Sequence, residues 1–136
     1  MYNHTVKDYD GYLAKDQTVP QNDTADGNGG GLKLSGTMGG IEVVAVVGSV
    51  KLDLADTKVM TIKLQQSSDD GDADAYTDLH TLYTVTAAGA TSVAIGTELG
   101  RFVIPSNAET YIKATITNDD IAATGKVEIY PHYLPR

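Results

Sequence analysis

From residue 32 onward the chain alternates apolar and polar positions with a period of two, and no 3.6-residue apolar stripe is sustained long enough to make a helix. Val50, Leu52 and Leu54 alternate with Lys51 and Asp53, and Met60, Ile62 and Leu64 alternate with Thr61, Lys63 and Gln65. Ile112, Ala114 and Ile116 repeat the pattern, as do Val127 and Ile129. Successive side chains of a strand point to opposite faces, so each of these segments buries one face and wets the other. Further strands are expected over 32–38, 41–47, 79–85, 93–95 and 101–104, where β-branched residues and Tyr are frequent. Turn residues separate them at Gly39-Gly40, Gly48-Ser49, Ala88-Gly89, Pro105-Ser106-Asn107 and Asn118-Asp119-Asp120. Strands recurring every ~8 to 12 residues indicate a sandwich or barrel. The predicted fold is all-β, a jelly-roll-like antiparallel β-sandwich of about eight strands.

The first 31 residues break this pattern. They end in Gly27-Asn28-Gly29-Gly30-Gly31, where glycine makes regular structure expensive in backbone entropy. Their apolar residues Tyr2, Val6, Tyr9, Tyr12, Leu13 and Val19 are irregularly spaced and cannot form a local core. Residues 1–31 are therefore predicted to form an extended N-terminal arm, with 32–136 as the sandwich. At the other end Pro131 and Pro135 cannot donate ladder hydrogen bonds, so the last strand should leave the sheet as a tail from residue 130. Both termini then look like contact elements. Tyr12 and Leu13 with Tyr2, Val6, Tyr9 and Val19 would make the arm's contacts, and Tyr130 and Tyr133 those of the tail.

Charge narrows the partners. The 136 residues carry 18 Asp and Glu against 10 Lys and Arg, a formal charge of −8. Nucleic acid and anionic membranes are both gripped through Lys and Arg, so neither is an expected partner. The absence of cysteine removes disulfides, thiolate zinc sites and thiol nucleophiles. The polar opening segment resembles no secretion signal, and no apolar run reaches the ~18 residues that span a bilayer. The sequons Asn3-His4-Thr5 and Asn22-Asp23-Thr24 are read as chance.

Candidate chemistry is sparse. Asp69, Asp70, Asp72, Asp74 and Asp78 crowd one loop, and Asp70, Asp72 and Asp74 have the alternate spacing of a calcium loop. Ala75 stands where such a loop needs Gly, and Thr81 where it needs a closing Glu, so an acidic solvated turn is the plainer reading and no metal or cofactor is expected. His4, His80 and His132 lack a nucleophile elbow or a partner signature, although Asp78 and His80 are expected on one face of a strand. The glycine run precedes a strand, not the helix a phosphate loop opens. The pattern points away from an enzyme.

Two stretches resemble a known family: Val93-Ala94-Ile95-Gly96-Thr97-Glu98-Leu99-Gly100-Arg101-Phe102-Val103-Ile104-Pro105, continuing through Tyr111-Ile112-Lys113-Ala114 to Gly125-Lys126-Val127, and Ile62-Lys63-Leu64-Gln65-Gln66-Ser67-Ser68-Asp69-Asp70. They are similar to the Bbp16-like cement or decoration proteins of tailed bacteriophages. The resemblance implies a structural, non-catalytic protein of the virion, made in the host cytoplasm and bound to the outer surface of an HK97-fold head. Its partners would be the major capsid protein and further copies of itself, as a homo-dimer or homo-trimer. The acidic stretch 69–78 and the Tyr-Pro-His-Tyr ending depart from the pattern. The alternative is a carbohydrate- or receptor-binding jelly-roll module of a phage tail or bacterial surface system.

Overall fold

The computed structural model describes residues 12–34, 41–105 and 107–133, and among them every regular element is a strand. In chain order these are β1 (Ala14–Thr18), β2 (Asp23–Asp26), β3 (Leu32–Lys33), β4 (Ile41–Val47), β5 (Leu52–Leu54) and β6 (Val59–Ser67). They continue with β7 (Thr77–Thr86), β8 (Thr91–Val93), β9 (Glu98–Val103), β10 (Tyr111–Asn118) and β11 (Lys126–Tyr133). One sheet has the order β1-β11-β4-β9 and the other β2-β10-β6-β7, with β3 pairing β10 and the short β5-β8 pair at one end. Every pairing is antiparallel. Leaving out the three short strands, the chain changes sheet at every connection except the β6-β7 hairpin. That is the double-sheet jelly roll the strand spacing predicts.

The core lies between the sheets. Val43, Ala45 and Val47 of β4 and Val127 and Ile129 of β11 face Met60, Ile62 and Leu64 of β6 and Ile112, Ala114 and Ile116 of β10, all buried. The period-two segments read from the sequence supply these residues. The outer face of the second sheet is polar: Thr24, Thr117, Thr61 and Thr84 sit opposite one another across β2, β10, β6 and β7. Their hydroxyls meet at 3.0 Å between Thr24 and Thr117 and at 3.1 Å between Thr61 and Thr84.

The predicted arm is corrected over 12–31. Tyr12, Leu13, Ala14 and Val19 are buried within the chain's own fold, and 14–18 and 23–26 are edge strands of the two sheets. Leu13 N–H donates to the Ile129 carbonyl at 2.9 Å, extending β1 beside β11. The irregular apolar spacing has a local cause: a bulge in β1 between Ala14 and Gln17, where Asp16 adopts φ 40°. The glycine run is no linker. It passes so close to β1 that a Cβ on Gly29 would stand 1.8 Å from the Tyr12 carbonyl oxygen, and Gly29 N–H donates to the Leu13 carbonyl at 3.0 Å. Within it, Asn28 binds Lys15 as another strand would, accepting the Lys15 N–H at 2.7 Å and donating to its carbonyl at 3.0 Å.

The predicted tail is corrected as well. β11 stays paired to β4 through Pro131, His132 and Tyr133. The Ile129 carbonyl points to β1. Pro131, two residues on, has the same polarity, so its missing N–H faces away from β4 and the β11-β4 ladder loses nothing.

Candidate functional site

The sequence run Ile41–Val47 has no wet face, and the structure shows why. Val43, Ala45 and Val47 enter the main core, whereas Val44 and Val46 point to the outer face of the first sheet. There Val44 joins Tyr12 and Tyr130 in a second apolar cluster. The two tyrosine rings stack at 5.4 Å between centroids with 30° between planes, a geometry that adds modestly to plain area burial. Beside this cluster lies a groove of about 620 Å³, lined by Val46, Gly48, Ile95, Gly96, Glu128 and Tyr130 among others. One wall is made by two turns locked together, since Gly96 N–H donates to the Val47 carbonyl at 3.0 Å and Val47 N–H to Thr97 at 2.9 Å. Ile95 projects from that wall 62% exposed.

Asp16 holds the neighbouring turn. Its carboxylate accepts the Ser49 hydroxyl at 2.7 Å and the Ser49 amide at 2.8 Å and lies 3.7 Å from Lys126 Nζ. The Ser49 hydroxyl, then the Ser49 amide, hold its pKa below the usual carboxylate range. At the other end of the same sheet face the buried Glu42 receives Arg101 at 2.6 Å and faces His132 Nδ1 at 3.5 Å. Arg101 also binds Glu98 and holds its carboxyl below the usual pKa range. The face thus offers aliphatic and aromatic surface in the groove at one end and paired charges at the other.

The acidic loop is organised by its own carboxylates. Asp69 accepts the amides of Ala73 at 2.8 Å and Asp74 at 3.1 Å, and Asp74 accepts that of Ser68 at 2.9 Å. The Ala73 amide holds Asp69 below the usual carboxylate range, and the Ser68 amide does so for Asp74. Burial first, then Asp74, pushes Glu109 above it. Tyr76 folds back to donate to Asp70 at 2.5 Å, with Lys113 Nζ 4.7 Å from its ring centroid. Burial, then this hydrogen bond, raises the phenol. Among the described residues no three His, Asp or Glu side chains are grouped to hold a metal ion, and Asp70, Asp72 and Asp74 are not brought together as ligands.

Asp78 and His80 do not share a face. A bulge at Leu79 sets Asp78 opposite Gln65 and His80 opposite Leu64. Asp78 binds Gln65 at 2.9 Å and Lys63 at 3.1 Å, whereas the His80 ring stacks on Phe102 at 3.9 Å, joining β7 to β9.

Of the residues expected to contact partners, Tyr2, Val6 and Tyr9 lie outside the described residues, as does the side chain of Tyr133. Leu13 and Val19 are core residues with no outward face, and Tyr12 is spent in the stack with Tyr130. Among the described members of the set, Tyr130 borders the groove. Val46, Ile95 and Glu128 were missed as groove residues. The unbroken apolar run 43–47, just after Glu42, was the signal available, since a strand without a wet side is buried on both faces.

No family model matches the chain, and no curated protein matches it. Among solved structures it is similar to a chain from the crystal structure of the T13 IBDV viral particle, with 16% sequence identity and a TM-score of 0.40. The likeness covers 89% of this chain and 30% of that one, so this chain spans about a third of the length of its structural neighbour.

Proposed function

We propose that this chain is a structural protein of a viral particle, and more narrowly a cement or decoration protein that binds the outside of an HK97-fold phage head and reinforces the joints between major capsid proteins. The observation that carries this reading is the first sheet's outer face, where Val46, Tyr130 and the exposed Ile95 shape a groove on a rigid double-sheet frame. A contact of that size is weak alone, and repetition over a symmetric shell turns many weak contacts into firm retention. The jelly roll recurs in capsid domains and equally in lectins, so the architecture supports the reading by analogy only. Against the carbohydrate-binding alternative, three tyrosines that could stack on sugars are occupied: Tyr12 and Tyr130 by each other, Tyr76 by Lys113.

The test is to mix the purified protein with expanded, undecorated heads of the phage that encodes it, sediment them, and record occupancy and survival on heating. Saturable binding with raised thermal survival is expected. Heads that bind none of the protein, together with calcium-dependent retention on a glycan array, would transfer the reading to the carbohydrate-binding module.

A further inference from the structure

Asn28 alone among the asparagines is followed by glycine, and the fold requires both residues of the pair. At 28 the side chain must donate and accept at once, because it takes the Lys15 N–H at 2.7 Å and gives its amide to the Lys15 carbonyl at 3.0 Å. At 29 a Cβ would stand 1.8 Å from the Tyr12 carbonyl oxygen, so only glycine fits. This requirement carries a chemical liability. A side-chain amide followed by glycine meets an unhindered backbone nitrogen on the most mobile of residues, the arrangement that closes most readily into a cyclic imide.

We infer that Asn28 is a deamidation site gated by the seating of residues 27–29 on β1, and that its conversion unseats the segment irreversibly. In the reaction the Gly29 nitrogen gives its proton to solvent and attacks Asn28 Cγ, forming the new C–N bond. The Cγ–Nδ2 bond then breaks, and the amide nitrogen takes a proton from solvent and leaves as ammonia. Water opens the cyclic imide at either carbonyl and leaves aspartate or isoaspartate, so the net change is water consumed and ammonia released. Asn28 and Gly29 are exposed, and solvent therefore reaches the reacting groups.

In the seated state those groups are occupied. Gly29 N–H donates to the Leu13 carbonyl at 3.0 Å, and losing its proton would forfeit that bond. Both polar atoms of the Asn28 side chain are on Lys15, and the Asn28 N–H donates to Gln17 Oε1 at 2.7 Å. Gln17 Nε2 also donates to the Asp26 carbonyl at 3.0 Å, so the ring closes only after the segment lifts from β1 by local opening. Two glycines that follow aspartate are held in the same way: Gly27 N–H donates to the Ala114 carbonyl at 2.8 Å, and Gly71 N–H to Ser67 Oγ at 2.9 Å. Asp26 and Asp70, which precede them, carry carboxyl groups, poorer acyl donors than an amide, so conversion begins at Asn28. Once converted, residue 28 sets a carboxylate against the Lys15 carbonyl that had received an N–H. Isoaspartate further adds a backbone carbon before Gly29 and displaces its N–H from Leu13. The Leu13 and Lys15 carbonyls are then unpaired, and β1 becomes an open sheet edge.

The test incubates the full chain at neutral pH, natively and in guanidinium chloride, and follows residue 28 by peptide mass spectrometry with enzymatic labelling of isoaspartate. The native chain is expected to convert at least about tenfold more slowly than the unfolded one, the factor that an opening free energy of ~1.4 kcal/mol gives. Gln17→Ala removes two bonds that hold the segment and is expected to raise the native rate at least about threefold. A native wild-type rate within about twofold of the unfolded rate, or one unmoved by Gln17→Ala, would overturn the gating. An unfolded chain that converts no faster at Asn28 than at Asp26 or Asp70 would overturn the site. Converted protein, separated by ion exchange, should show faster hydrogen exchange at the Gly29 amide than the unconverted chain, and equal protection there would overturn the unseating.

Discussion

Replacing Leu13 with alanine separates a core residue from an arm residue. Leu13 is 0% exposed, its N–H is bonded to Ile129 and its carbonyl accepts Gly29 N–H. The substitution removes three carbon groups, worth about 2.4 kcal/mol at ~0.8 kcal/mol each. The cavity left behind adds to this, so about 3 kcal/mol is expected, within the ~2–5 kcal/mol range for buried Leu to Ala changes. For 136 residues the unfolding entropy at ~2.1 cal/mol/K per residue is about 290 cal/mol/K, so this loss lowers Tm by roughly 10 °C. Urea unfolding followed by circular dichroism should show the midpoint fall with an unchanged slope, since the surface exposed on unfolding is nearly the same. Val50→Ala, at a position 41% exposed, is the control and should shift the midpoint little. A Leu13→Ala protein within ~0.5 kcal/mol of wild type would refute the placement of residues 12–19 in the sandwich and restore the arm.

Gly29→Ala, whose Cβ would meet the Tyr12 carbonyl, should destabilise by ~1–3 kcal/mol through forced backbone movement. Gly30→Ala has open space and loses only the left-handed freedom of φ 71°, so its smaller thermal shift checks that crowding is the cause. Asn28→Asp sets a carboxylate against the Lys15 carbonyl that now receives the amide, and should cost ~1–3 kcal/mol and speed hydrogen exchange along β1. Asp120 is held below the usual carboxylate range by the Ala55 amide first and the Ala122 amide second, although burial opposes them. A depressed folded value means its contribution is complete above the unfolded value of about 3.9 and is lost as pH falls through the lower folded value. Asp120→Asn should therefore flatten the acid limb of the stability profile, and an unchanged acid limb in thermal melts from pH 5 to pH 2 would count against this assignment.

Much of the jelly roll was legible in the chain because its central strands β6 and β10 each have one dry and one wet face. Met60, Ile62 and Leu64, or Ile112, Ala114 and Ile116, announce both the strand and its buried side, and the register follows once one face must be core. β1 and β2 carried no such mark. In β1 a bulge at Asp16 breaks the alternation, and β2, with the sequence Asp-Thr-Ala-Asp, has no large apolar residue. It is held instead by its ladder to β10, by Thr24 on Thr117 and by Asp26 on Lys113. An edge strand is stabilised by what it pairs with, and that partner lies about ninety residues along the chain.

The same division applies to the surface. Local patterning determined that the chain is all-β, acidic and built on strands with turn residues between them, because propensity and alternation act over a few neighbours. Only the tertiary structure decided that Val50, Ile95 and Ile121 share one end, that Asp120 is held by the Ala55 and Ala122 amides, and that Asp78 and His80 part company at Leu79. These are consequences of which strands pair and where a ladder bulges. Pairing between segments remote in sequence is set by the packing of the whole core, which no single window of the sequence contains.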